Sequence, residues 1–215
     1  MHYQLLHELT FYAMFAALAL ASFVIVERMI FYVFTLRRSR ALEVLLTTTD
    51  HHPAHIASQF ETGNSVPGET LQRMVENRQR MRNRHELEDL SEAIYLAMKA
   101  KLQRHLWVLD TVVTAAPLLG LLGTILGIID TFSALAQSGV SDPSSVSAGI
   151  GTALFATALG IGIALFGLIF FNLFQERVER ISEHLKIIIL YTGLGILPTP
   201  DLEFTHAAHP VPAPA

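Results

Sequence analysis

The sequence lacks cysteine, so disulfide bonds, thiolate metal sites and thiol chemistry are excluded. Charged residues are scarce: they make up 16% of the 215 residues, whereas 51% are hydrophobic and the mean hydropathy is +0.41. This composition lies outside the usual range of soluble domains. The net charge of −4 is mild, and no dense basic patch stands apart from acidic residues, so we expect no nucleic-acid partner.

Catalytic and metal-binding patterns are missing as well. The sequence has no glycine-rich phosphate loop after a strand, no nucleophile elbow and no hydrolase triad, so an enzyme is not expected. His51, His52 and His55 in "HHPAH" include a pair at the spacing of metal ligands on a helix, but Pro53 interrupts the helix that this geometry needs. We therefore expect a solvated loop there, with neither a metal nor a cofactor.

Three long apolar runs are the main feature that the sequence does have. They cover residues 10–36, 109–135 and 147–174, and each exceeds the roughly 20 residues that a helix needs to cross a bilayer. The first run lacks the basic start of a cleaved signal peptide and ends on arginines, so we interpret it as a retained helix. The sequence thus predicts a multi-pass protein in a lipid bilayer.

Basic residues flank these runs on one side only. The N-terminal segment and residues 136–146 contain no Lys or Arg. The positive-inside rule therefore predicts that the N-terminus and this loop lie outside, and that the middle region and the C-terminus lie in the cytoplasm. The flanking basic residues are Arg37, Arg38, Arg40, Lys99, Lys101, Arg104, Arg177 and Arg180.

Helical spacing continues outside the predicted spans. Nothing between Glu69 and Ala116 breaks a helix, and apolar residues recur at three- and four-residue steps from Leu87 to Leu109. We therefore expect the second span to continue a long cytoplasmic helix. The same spacing after the third span predicts a cytoplasmic helix over residues 175–197.

These features predict an all-α membrane protein without a separate soluble domain. It has three transmembrane helices, its N-terminus outside, and long cytoplasmic helical extensions of the second and third spans. The predicted segments are a periplasmic leader (1–9), the first transmembrane helix (10–36), a cytoplasmic helical region with a short helix and loops near its start (37–108), the second transmembrane helix (109–135), a short periplasmic loop (136–146), the third transmembrane helix (147–174), a cytoplasmic helix (175–197) and a disordered proline-rich tail (198–215).

Small residues recur along one face of the second and third spans. In lipid, helix association depends on close van der Waals approach, which small residues permit. Packing between these two helices of one chain would use some of the small positions, and we favour additional contacts between subunits because there are more of them than one contact needs. The predicted packing residues are Gly120, Gly123, Gly127, Ala156, Gly160 and Ala164, with Thr152 one turn before Ala156.

Two threonines fall at similar depth in these spans. Thr124 lies six residues before Asp130, about 9 Å below the outer end of the second span, and Thr157 lies a similar distance below the start of the third. Each hydroxyl could bond its own i−4 carbonyl, or the pair could line a narrow polar passage. Pro117 leaves the Val113 carbonyl without its helical donor, which favours a packing kink over a gating hinge.

Acidic residues are absent from the interior of the second and third spans. Residues 111–129 and 148–172 contain no Asp, Glu, Lys, Arg or His, while Glu27 and Arg28 form a pair near the inner end of the first span. Proton relays in membranes usually need a titratable group inside. If this chain serves proton movement, another protein must supply the carboxylate.

Three stretches resemble the ExbB/TolQ/MotA proton-channel family. "APLLGLLGTILGIIDTF" resembles the signature of that family, "GIGTALFATALGIGIALFGLIFFNLF" its third span, and "FVIVERMIFYVFTLRRSRAL" its first span, including the Glu27–Arg28 pair. Three spans with the N-terminus outside is the ExbB/TolQ arrangement; MotA has four.

The resemblance implies a homo-oligomeric ring, a pentamer in the inner membrane, whose second and third helices surround a pore. It implies an ExbD- or TolR-like partner with one membrane helix bearing an aspartate, protons as the coupling ion, and a TonB- or TolA-like protein that receives the work. Thr124 and Thr157 match the pore-facing threonines of the family. Thr152 departs from its pattern, because many relatives carry Glu there, so the path near the outer mouth is in question.

Two functions follow as expectations. The first is a subunit of a proton-driven motor that energises outer-membrane transport, with a TolQ-like role in envelope maintenance as the alternative. The second is a non-conducting membrane scaffold whose small residues only pack helices.

Overall fold

The computed structural model describes residues 2–48, 65–77, 83–138 and 143–196, and nearly all of them are helical. The predicted loop 136–146 is described at both ends, with residues 139–142 outside the described ranges. The predicted tail 198–215 and the histidine cluster of residues 51–55 also lie outside the described residues. The helices are α1 (His2–Thr48), α2 (Val66–Glu76), α3 (Arg84–Gln103), α4 (Leu106–Ser138) and α5 (Pro143–Ile196).

Three of these helices are long and apolar enough to cross a membrane. Their candidate spans are Leu5–Leu46, Leu106–Gln137 and Pro143–Gly193. The prediction of an all-α protein with three membrane helices is confirmed. The side of the membrane that each end faces stays a prediction.

Helix α1 runs antiparallel to α4 and α3 and contacts first one and then the other along its length. His7 and Thr10 face Gly127 and Gly123 of α4, while Arg28 bonds His105 and Tyr32 bonds Leu102 further along. The helix begins at His2, so most of the predicted leader is the first part of α1. Since Arg28 is level with the start of α4, the predicted span 10–36 runs about two turns beyond the part of α1 beside α4.

The expectation of an unbroken helix from Glu69 to Ala116 is wrong. Helix α2 ends at Glu76, α3 begins at Arg84, and a second break separates α3 from α4. At this second break His105 has a left-handed backbone, with φ of 70°, which an α-helix does not contain. The apolar stripe crosses the break without interruption, because Leu102 and Leu106 are both buried.

The core changes character along the molecule. Where α4 crosses α5 it consists of small side chains, whereas around α2, α3 and the second half of α5 it consists of large ones. Helix α5 is continuous over 54 residues, about 80 Å at 1.5 Å per residue, so the predicted helical extension of the third span is present as a helix. The large buried side chains around α2 and α3 include Leu71, Met74, Met98, Ile181, Leu185 and Ile188.

Candidate functional site

Helices α4 and α5 touch backbone to backbone at Gly120 and Gly160. A Cβ atom on Gly120 would lie 2.8 Å from the carbonyl oxygen of Ala156, and one on Gly160 would lie 2.5 Å from the carbonyl oxygen of Ala116. The two contacts mirror each other across the antiparallel pair. Only glycine fits either position without moving the helices apart.

Gly123 and Gly127 bring α1 into the same contact. A Cβ on Gly123 would meet Ala156 Cβ at 3.0 Å and Thr10 Oγ1 at 3.2 Å, and one on Gly127 would meet His7 Nε2 at 3.0 Å. Three helices of one chain therefore close on each other here.

The packing residues predicted from the sequence thus have neighbours within the chain. Ala156 and Ala164 are buried as well. Intrachain packing accounts for Gly120, Gly123 and Gly127, and contacts between subunits stay a prediction.

Thr124 and Thr157 meet at this crossing, at equal depth. Their hydroxyl groups are hydrogen-bonded to each other. Thr124 Oγ1 also lies 3.1 Å from the Gly120 carbonyl oxygen and 3.0 Å from that of Ala153, and Thr157 Oγ1 lies 3.2 Å from the Gly120 oxygen. Thr124 contacts its own i−4 carbonyl, as the first alternative expects, and also the opposite helix; the lining of a polar passage by the pair stays a prediction.

The cluster has fewer protons than hydrogen-bond acceptors. Each threonine hydroxyl carries one hydrogen and two acceptor lone pairs, so two hydrogens serve two carbonyls and the hydroxyl–hydroxyl contact. Several donor patterns are therefore compatible with one arrangement of heavy atoms. Both threonine residues are half-buried, so the cluster is not completely enclosed within the chain.

Thr152 is not part of this cluster. Its side chain is exposed, and its hydroxyl donates to the Ala148 carbonyl oxygen of its own helix at 3.0 Å. The proposed pore-lining role of Thr152 stays a prediction.

Pro117 lies inside α4, which continues through it to Ser138. The neighbouring carbonyl of Ala116 is the one that approaches Gly160. The proline therefore lies next to the backbone contact of Ala116 with Gly160, and its role as a kink stays a prediction.

Two glycines that the sequence reasoning passed over have open space. A Cβ at Gly151 or Gly162 would meet nothing within 4 Å. They are eleven residues apart, which is about three helical turns, so they lie on one face of α5 together with the exposed Ala158. The signal in the sequence is this spacing, and it marks a strip of small residues on α5 that is interrupted by the exposed Phe155.

The Glu27–Arg28 pair sits at the α3–α4 break. Arg28 donates from Nε to Glu27 Oε2 at 2.7 Å and from Nη2 to Glu27 Oε1 at 3.0 Å, and its Nη2 lies 2.8 Å from His105 Nδ1. Because guanidinium has no acceptor, His105 Nδ1 must accept, which leaves the imidazole hydrogen of neutral His105 on Nε2. Tyr32 donates to the Leu102 carbonyl oxygen at 2.8 Å, so α1 holds both sides of the break.

No group of three potential ligand side chains (His, Cys, Asp or Glu) able to hold a metal ion occurs among the residues that the structure describes. Cofactor binding is not tested by the structure, so its absence stays a prediction. What the site offers chemically is hydroxyl and carbonyl oxygens at depth, in stretches (111–129 and 148–172) that contain no titratable side chain.

Comparison with known proteins identifies the family of this chain. The family model of the MotA/TolQ/ExbB proton channel family matches residues 63–187. A putative biopolymer transport protein ExbB homolog of Methanothermobacter thermautotrophicus is 33% identical over 114 residues, which cover 53% of this chain and 40% of the relative. The biopolymer transport protein ExbB of Helicobacter pylori is 36% identical over 92 residues, 43% of this chain and 63% of the relative.

A second branch of relatives matches at similar identity. The Tol-Pal system protein TolQ of Pseudomonas aeruginosa is 35% identical over 98 residues, 44% of this chain and 42% of the relative. The chain spans about half the length of the curated relatives it matches. The family is one of proton channels and not a known class of enzyme, and its members together with the three apolar helices indicate a multi-pass protein of the bacterial inner membrane.

Proposed function

Because the chain belongs to the MotA/TolQ/ExbB proton channel family, we propose that it is the ring-forming subunit of a proton-driven motor. The motor energises TonB-dependent transport across the outer membrane, together with an ExbD- or TolR-like partner. The observation that carries this proposal is the hydrogen-bonded pair of Thr124 and Thr157. It is a polar cluster between helices whose interiors, residues 111–129 and 148–172, have no acid or base of their own.

The cluster is suited to receive a carboxylate from outside the chain. A carboxyl group buried in a membrane needs hydrogen-bond partners in either protonation state. A threonine hydroxyl donates to a carboxylate and accepts from a carboxylic acid, and the surplus of acceptors lets the pair change direction without moving. Thr124 and Thr157 therefore serve a partner's aspartate as it gains and loses its proton, and the chain itself carries no proton.

The open strip of α5 supports the approach of a partner helix. Gly151, Ala158 and Gly162 are exposed and small, so a second helix can approach them closely on either side of the exposed Phe155. In a ring of identical subunits, a pentamer in this proposal, such strips would line a central passage. A single-span partner then fits inside it.

Removing the two hydroxyls is the direct test. Thr124→Val and Thr157→Val keep the side-chain shape, and the double variant is reconstituted into proteoliposomes with the partner. We expect proton flux to fall about 10-fold or more, the size of a lost hydrogen bond to a charged group, while size-exclusion chromatography still shows the ring. Thr114→Val is the control, because the hydroxyl of Thr114 is exposed and bonds only its own helix among the described contacts. Unchanged flux in the double variant would contradict the proposed role.

A TolQ-like role in envelope maintenance is the alternative within the family. Expressing the chain with its partner in one strain that lacks its own Ton motor and in another that lacks its own Tol motor separates the two. Restored uptake of a TonB-dependent substrate supports the first role, and restored outer-membrane integrity supports the second.

A non-conducting scaffold is the second candidate. The contact of Thr124 with its own i−4 carbonyl, at 3.1 Å, favours it, because that is how a purely structural threonine is satisfied in a membrane helix. It predicts no proton flux above protein-free vesicles when the wild-type chain and its partner are reconstituted.

A further inference from the structure

A polar cavity of about 600 Å³ lies at the α3–α4 break. Helix α1 lines one side of it, the start of α2 another, and the last turn of α3 with His105 a third. None of its lining residues belongs to the threonine cluster.

The cavity lies near one end of the apolar part of α4. From Leu106 to Asp130, α4 rises about 36 Å at 1.5 Å per residue, which exceeds the hydrocarbon thickness of roughly 30 Å. With Asp130 at one boundary of the apolar layer, as the sequence predicts, His105 falls beyond the other boundary, at the depth of lipid headgroups. A cavity there is reachable from the headgroup layer and from water.

Two buried polar atoms of the cavity, one in Arg28 and one in Ser65, have no hydrogen-bond partner among the described residues. Arg28 and Ser65 are each only 4% exposed, and both residues line the cavity. Arg28 Nη1 and Ser65 Oγ make no hydrogen bond to any residue that the structure describes. Buried polar atoms in proteins are almost always bonded, so these two atoms indicate a missing acceptor.

The start of α2 adds further donors. This helix of 11 residues begins after Ser65, its N-cap, whose side chain makes no capping hydrogen bond. The first N–H groups of a helix have no partner within it, and the helix dipole makes this end positive. Ser65 and Val66 both line the cavity, so the positive end of α2 adjoins the two unpartnered groups.

The charges that face the cavity leave an excess of positive charge. Glu27 is paired with Arg28 at 2.7 Å, and Glu69 is bonded by Lys101 at 2.6 Å and by Arg73 at 2.9 Å. Arg104 also lines the cavity and forms no ion pair with any residue in the described ranges. An anion entering the cavity therefore meets neutralised carboxylates and one uncompensated guanidinium.

We propose that this cavity binds a phosphate group. Arg28 Nη1, Ser65 Oγ and the α2 N-terminus donate to its oxygens, and Arg104 adds charge. A phosphate suits this set because it offers several acceptor oxygens and binds both guanidinium groups and helix N-termini. The headgroup of a phospholipid and free inorganic phosphate share this chemistry, and the experiment has an arm for each.

The test uses the full-length chain, purified in a phosphate-free maltoside detergent and stripped of lipid. One arm titrates inorganic phosphate and follows ³¹P NMR line width. The other adds phosphatidylglycerol, or diacylglycerol as the lipid without phosphate, and measures lipid retained after detergent exchange. We expect retention of phosphatidylglycerol, broadening of the phosphate signal, or both; no binding in either arm overturns the proposal.

Variants assign the binding to this cavity. Ser65→Ala removes a hydroxyl that caps nothing, so we expect an unchanged melting curve and about 10-fold weaker binding, the loss of one hydrogen bond to a charged group. Arg104→Gln, at an exposed position, should weaken binding roughly 2- to 5-fold. Arg84→Gln is the matched control, because Arg84 is exposed and pairs with Glu88 outside the cavity. Equal effects of Ser65→Ala and Arg84→Gln would also overturn the proposal.

Discussion

The backbone contact of α5 with α4 at Gly160 is open to a test by one methyl group. In Gly160→Ala the new Cβ would lie 2.5 Å from the Ala116 carbonyl oxygen and 3.0 Å from Gly120 Cα. Both neighbours are backbone atoms, so no change of side-chain rotamer relieves the overlap and α4 must move away from α5. Overpacking of this kind costs roughly 1–3 kcal/mol, and we expect the upper half of that range. The movement would also separate Thr124 from Thr157.

Gly162→Ala is the control for this prediction. Gly162 lies on the same helix two residues further, and its new Cβ would meet nothing within 4 Å. Alanine favours a helix over glycine by up to about 1 kcal/mol, so we expect no loss of stability. The assay is reversible unfolding in mixed detergent–SDS micelles followed by circular dichroism. Equal changes in the free energy of unfolding for the two variants would refute the helix contact as the source of the constraint.

Two further predictions concern the part of the molecule around α2 and α3. Tyr32→Phe leaves the Leu102 carbonyl without its donor, which should cost about 1–3 kcal/mol, while Tyr12→Phe, at a residue that is 70% exposed, should cost nothing in the same unfolding assay. Burial raises the pKa of Glu69, but the hydrogen bonds and charge of Lys101 and the charge of Arg73 together lower it by more. The net result is a Glu69 pKa below its usual value. A lowered carboxyl pKa stabilises the fold at pH values above the unfolded-state pKa of about 4.3, and this stability is lost as the pH falls through the folded-state pKa. Glu69→Gln should therefore lose less stability than wild type between pH 6 and pH 3. An identical pH profile of the two proteins would contradict the ion pairing of Glu69.

The sequence was sufficient to predict the features that depend on local pattern and length. Uninterrupted apolar runs identify the three membrane helices, because a bilayer sets a minimum helix length. The rise per residue places Thr124 and Thr157 at one depth, and the structure brings their hydroxyls together. The apolar stripe through Leu102 and Leu106 identifies buried positions, since both side chains are buried.

The features that it did not predict depend on contacts distant along the chain. The break before α4 has no glycine or proline to mark it, because the left-handed residue is His105. The break depends on Arg28 and Tyr32, which lie 77 and 70 residues away from their partners. The partners of each glycine are likewise set by the register between helices, which composition does not show.

The break at His105 also distinguishes α4 from the other two membrane helices. Helices α1 and α5 run without interruption from the membrane bundle into the bundle of α2 and α3, whereas α4 is separated from α3 at His105. The position of α4 is therefore set by its contact with α5 at Gly120 and Gly160, and no continuous helix joins α4 to α3. In the proposed motor this keeps the Thr124–Thr157 pair in place, because its two threonines depend on the α4–α5 contact and not on the angle between α3 and α4.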